Sequence, residues 1–182
     1  MKAVFLLSIL LIAACSSEPV EPPKYYLLRT PVAVESGAVQ TTPFYSLGRV
    51  EVAAYIDQPG LVLESGAGEI HMARQHQWAE PLGTSLRRFL ATGIGAEAGQ
   101  AVALMSSSPS ASRIDITVDQ LHGNSRGEAV LVAYWEVIRE NGTVDRYQFS
   151  KTRDLGRDGY AALVEAEQAL LQQLAVSIGQ SL

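Results

Sequence analysis

The hydrophobic pattern of this chain switches between a period of two and a period of 3.6 residues, in an order that leaves few architectures open. Residues 25–29 form a short apolar strand candidate, and residues 50–56 alternate before the turn Asp57-Gln58-Pro59-Gly60. Leu61-Val62-Leu63 and residues 69–74 flank Gly66-Ala67-Gly68, which predicts a hairpin. Leu82, Leu86, Phe89 and Leu90 then share one helical face with Arg87 and Arg88 turned away, Pro81 suits the first turn, and Gly93, Gly95 and Gly99 weaken the later turns of this helix. Alternation resumes over residues 113–119. Residues 129–138 are apolar on both sides, as in a central strand, and the turn Glu140-Asn141-Gly142-Thr143 leads to a partner strand over 144–151. Residues 158–178 form an amphipathic helix. Hairpins imply antiparallel pairing and one-sided helices imply a single covered face. The expectation is an α+β two-layer domain, an antiparallel sheet with two helices packed on one face.

This domain is preceded by a processing signal. Lys2 provides a positive start, residues 3–14 an apolar run, and Ala13-Ala14 stand before Cys15. A spanning helix needs roughly 20 apolar residues, and this run gives way to Ser16-Ser17-Glu18 too early. The pattern resembles a bacterial lipobox, in which the cysteine thiol is diacylated, the leader is cut before it and the new amino group is acylated. Residues 1–14 are then the signal peptide, and residues 15–24 hold the lipidated Cys15 and a Pro-rich tether, SSEPVEPPK. Residues 25–182 form the domain. Multiple acyl chains suffice for stable attachment, each buried methylene contributing about 0.8 kcal/mol. Ser16 stands where an aspartate retains many Gram-negative lipoproteins in the inner membrane. The resemblance therefore implies the outer membrane, with the protein lipid-anchored on the periplasmic face.

Cys15 is the only cysteine, so once acylated it leaves none for a disulfide or a cysteine metal site. The formal charge of −5 argues against nucleic acid, which needs a basic face. His71, His76 and His122 are the only imidazoles, and the first two lie five apart, on opposite faces of a strand. Neither a His-Glu-x-x-His nor a Gly-x-Ser-x-Gly motif is present, and Gly66-Ala67-Gly68 lacks what a phosphate loop requires. The chain reads as a protein with no catalytic residues, no metal and no cofactor beyond the covalent lipid on Cys15.

Tyr55, Asp57 and Pro59, followed by Trp78, Glu80 and Pro81 in the box Trp78-Ala79-Glu80-Pro81-Leu82, carry a resemblance to a known family. Together with Tyr25-Tyr26-Leu27-Leu28 and the lipobox, they resemble the ABC-transport auxiliary lipoproteins, the PqiC or DUF330 family, over essentially the whole chain. The chain departs from the family at Glu64-Ser65-Gly66, where an arginine is common. Physical reasoning gives the box a structural meaning: Trp78 buries a large ring, Glu80 favours a helix amino terminus and Pro81 starts the helix.

The resemblance implies a role in lipid transport between membranes. The implied partners are an MCE-domain protein that spans the periplasm, an associated permease that can be ABC-driven in such systems, and the outer-membrane bilayer. A sheet covered on one face leaves the other open, and the partner surface would carry either Leu131 and Trp135 or Val130 and Tyr134. That surface could also support a homo-oligomer. The alternative function is a carrier holding a lipid or small apolar ligand in its own pocket, which needs a cavity of about 300 Å³ or more.

Overall fold

The computed structural model describes residues 21–30, 45–66, 68–104 and 112–182. Cys15, the signal peptide and the first half of the tether lie outside the described residues. In chain order the elements are β1 (Lys24–Tyr26), β2 (Tyr45–Val52), β3 (Gly60–Gly66), β4 (Glu69–Trp78), α1 (Leu82–Ala98), β5 (Val102–Ala103), β6 (Ser112–Asn124), β7 (Glu128–Ile138), β8 (Val144–Asp154) and α2 (Tyr160–Gly179). The architecture is α+β, with eight strands in one sheet among the described residues.

The sheet is mixed, which corrects the antiparallel expectation. The three hairpins β3–β4, β6–β7 and β7–β8 are antiparallel, but β1–β4, β2–β5, β2–β6 and β3–β6 pair in parallel. The physical reason is that β2 and β3 reach β6 only after an excursion through α1, and such crossovers set strands parallel. Turn signals reveal pairs joined by short loops and are silent about the others.

β6 is the spine. One edge pairs with β7 from Arg113↔Ile138 to Gly123↔Ala129. The other edge is shared between β2, from Tyr45↔Ser112 to Val52↔Val118, and β3, at Leu63↔Gly123 and Glu64↔Asn124. The sheet thus branches beside β6 into two wings, β2–β5 and β3–β4–β1.

Both helices cover one face. On β6, Ile114, Ile116 and Val118 point inward, and on β7, Leu131, Ala133, Trp135 and Val137 do the same. They meet Leu86, Leu90 and Ile94 of α1 and Leu170, Leu171 and Leu174 of α2, all fully buried. Each such side chain contributes about 1.5–3 kcal/mol of apolar transfer free energy. α2 spans nearly the predicted range.

α1 runs through Gly93 and Gly95 and stops at Gly99, whose φ of 66° forms a left-handed cap. Gly93 does not weaken this helix without return: a Cβ there would lie 2.8 Å from the Cβ of Ala175 on α2. Glycine is what lets the two helices approach. Gly93→Val is expected to lower stability by about 1–3 kcal/mol through overpacking, read as a shift of the urea midpoint with an unchanged slope. No shift would mean that the helices separate freely.

Candidate functional site

After β2, the chain makes a tight turn in which Ala53 N donates to Val118 O at 2.9 Å and the Ala53 carbonyl accepts from Ile56 N and Asp57 N. Ile56, 1% exposed, pins this turn into the core. Pro59 then begins the return, and its carbonyl accepts from Trp78 N at 2.7 Å. That single bond joins the two halves of the motif, about twenty residues apart. Ala79 N donates to Tyr26 O at 2.8 Å, so the box lies between β3 and β1.

A cleft of about 380 Å³ results, with Asp57, Gln58 and Pro59 on one wall and residues 78–82 on the other. Trp78 is 7% exposed. A second cleft of about 370 Å³ lies beyond it between residues 27–30 and α1, and Glu80 lines both. Glu80 accepts from the Ser85 hydroxyl at 3.0 Å and pairs with Arg88. The sequence places an acid here to favour the helix terminus. The structure directs it instead to side chains of α1, which has no side-chain cap. Pro81 takes the N-cap position.

Tyr55 belongs to the same turn but packs elsewhere, with its ring 6.3 Å from that of His122. Burial, reinforced by the negative charge of Asp119, pushes its phenol up to about 12. Glu64, at the departure from the family pattern, accepts from Gly68 N at 3.2 Å and so serves the β3–β4 turn.

Of the two open alternatives for the uncovered sheet face, Leu131 and Trp135 are 0% and 5% exposed beneath the helices. The Trp135 indole stacks on Tyr147 at 5.1 Å and donates to Ser181 Oγ. Tyr134 is 44% exposed on the opposite face, with Val130 half-buried in the same row. Beside Tyr134 lies a shallow depression of about 190 Å³ reaching Arg49, Glu51, Asp115 and Glu136. Its rim carries the ion pairs Arg49–Glu51, Arg113–Asp115 and Arg146–Glu136. Such exposed pairs add little stability, but they make this an apolar stripe bordered by charge.

The imidazoles do not converge. His71 is exposed near Glu69, and His122 Nδ1 lies 3.1 Å from Gly123 O. His76 ties three elements together: its Nδ1 is hydrogen-bonded to the Tyr26 hydroxyl at 2.8 Å, and its ring stacks on Tyr160 at 4.2 Å. Among the described residues, no three His, Cys, Asp or Glu side chains gather as metal ligands.

The family model of the ABC-type transport auxiliary lipoprotein component matches residues 25–179. The chain belongs to this family. Among the auxiliary lipoprotein's relatives, the intermembrane transport lipoprotein PqiC of Escherichia coli is 24% identical over 182 residues, all of this chain and 97% of that one. The PqiC of Shigella flexneri matches equally. The crystal structure of an uncharacterized protein superposes with a TM-score of 0.76 at 22% identity, covering 88% of this chain and 99% of that one. A DUF330 protein of Xanthomonas campestris gives 0.68 at 17% identity, covering 85% and 92%. These two likenesses concern the fold. The auxiliary lipoprotein has, among its described residues, no helix long and apolar enough to cross a membrane.

Two features escape sequence reasoning: the buried Glu167 and the sharing of one cleft by both motif segments. The signal for the first is a glutamate within an apolar helical face, since Glu167 lies on the same side as Leu163, Leu170 and Leu174.

Proposed function

We propose that this chain is a non-catalytic adapter held to the outer membrane by acyl chains on Cys15, docking a periplasm-spanning MCE-domain protein for a lipid transport system. Membership of a family of transport auxiliary lipoproteins supports the general role. The observation that carries the docking reading is the uncovered sheet face, where Val130, Val132 and Tyr134 of β7 form a short apolar row opposite both helices, closed by Glu136. An apolar stripe bordered by paired charges is the usual makeup of a protein contact, with a dry centre and a polar rim.

A photo-crosslinking residue at position 134 in living cells is expected to trap the MCE-domain partner, while the same residue at position 135, beneath the helices, traps nothing. Absence of an adduct from position 134, with the variant protein present at normal level, would remove the docking face.

The carrier alternative draws on the motif cleft, whose volume exceeds about 300 Å³, the lower bound for a ligand pocket. That cleft is open to solvent at the sheet margin and includes the carboxylates of Asp57 and Glu80. The space between sheet and helices is filled by side chains such as Phe89, Leu131 and Leu171. Both observations favour the adapter.

A further inference from the structure

We propose that the domain stands upright on the bilayer. The sheet end where β3, β6 and β8 finish and β4 and β7 begin would face the lipid headgroups, and the end carrying the β7–β8 turn and Leu182 would point away. This rests on the acylation of Cys15 in the proposed function.

Strand directions define the two ends. β4 and β7 run opposite to β3, β6 and β8, so Gly66, Glu69, Asn124, Glu128 and Asp154 gather at one end. The tether heads for that end: β1 pairs in parallel with His76–Trp78, the last residues of β4, so the chain before Lys24 runs toward the start of β4. Tyr26 of β1 bonds His76, whose ring stacks on Tyr160, the first residue of the helix after β8.

From there the chain descends away from the end. Leu27 O accepts from Gln168 Nε2 at 3.0 Å, and Thr30 Oγ1 donates to Phe89 O at 3.4 Å. Tyr160 to Gln168 is an advance of about 12 Å along α2. The residues before Lys24 therefore lead outward from the Tyr160 end.

Tether length then limits the alternatives. Lys24 follows Cys15 by nine positions, a reach of about 30 Å at full extension. The thirteen residues of β6 span about 43 Å. A tether shorter than the sheet, seated nearer the Asn124 end than the Ser112 end and directed toward the former, keeps that end toward the membrane.

The surface there suits contact without insertion. Arg126 is paired with Glu128 and Arg157 with Glu165, an arrangement of mixed sign that headgroups tolerate. Tyr25, 61% exposed just after the tether, has the amphipathic ring that suits the headgroup level.

The test uses the full acylated chain in phosphatidylethanolamine–phosphatidylglycerol vesicles containing a headgroup-linked acceptor dye, with a donor dye on Ser125→Cys or on Asn141→Cys. Energy transfer from position 125 is expected to be several-fold more efficient than from position 141. Equal transfer, or more from position 141, in a chain that floats with the vesicles overturns the orientation alone. If the chain does not float, or floats equally well as Cys15→Ala, the lipid anchor falls and the orientation falls with it.

Discussion

Replacing Glu167 with glutamine will raise the melting temperature far more at pH 7.5 than at pH 5. Glu167 is 1% exposed on the buried face of α2, and its Oε2 has no hydrogen-bond partner. Burial pushes its carboxyl up to about 8 from a reference of 4.5. Below pH 4.5 the group is protonated whether the chain is folded or not, and its contribution to stability is fully present. As pH rises toward 8, the unfolded chain releases the proton while the folded chain keeps it. Stability is therefore lost at up to about 1.4 kcal/mol per pH unit. Between pH 5 and pH 7.5 this amounts to about 3 kcal/mol. For a domain of this size, the gap between variant and parent should widen by about 5–12 °C across that interval. The amide carries its own cost as an unpaired buried group, but that cost is the same at both pH values. A gap that does not change with pH would show that the folded chain ionises Glu167 as readily as the unfolded one, its charge being paired or solvated.

The second large effect concerns Arg87. The sequence turns this residue away from the apolar face of α1, yet the structure folds it back over the sheet. Its guanidinium donates to the carbonyls of Gly48, Leu47 at 3.2 Å and Leu104 at 2.6 Å. It thereby fastens α1 to β2 and to the segment after β5. A hydrogen bond to a charged group contributes about 1.5–3 kcal/mol net of desolvation, and bonds that share one guanidinium do not add in full. Arg87→Met keeps the aliphatic stem and strands three acceptors, so a loss of about 2–4 kcal/mol is expected in urea unfolding. Arg87→Lys restores the charge but not the planar fork, and should recover less than half of it. A lysine variant as stable as the parent would show that charge alone is responsible.

Arg87 also illustrates what the sequence could not disclose. Periodicity locates both helices, the alternation of β6 and the Asn141-Gly142 turn, because each signal lies within a few residues of what it specifies. Pairing between β2 and β6 depends on residues 66 positions apart, and β1 on its partner 52 positions away. Neither leaves a local mark. The alternation in β7 sorts Leu131 and Trp135 from Val130 and Tyr134, but which set the helices cover depends on the crossover. Residues 50–56 alternate as a single strand would, whereas β2 ends at Val52 and the Ala53 carbonyl already accepts from Ile56 N and Asp57 N in a turn. Both segments of the motif are legible in the sequence; the bond from Trp78 to Pro59 that unites them is not.

The position of β1 bears on how the molecule is made. Its three residues rest on β4, and the chain just beyond them on Gln168, 141 residues later. Contacts at such separations form late, because long loops must close before they help. During synthesis the amino-terminal end therefore waits for the carboxy-terminal helix before its seat is complete. The leading strand of a nascent chain would stay loose until the middle of α2, where Gln168 lies, had been delivered.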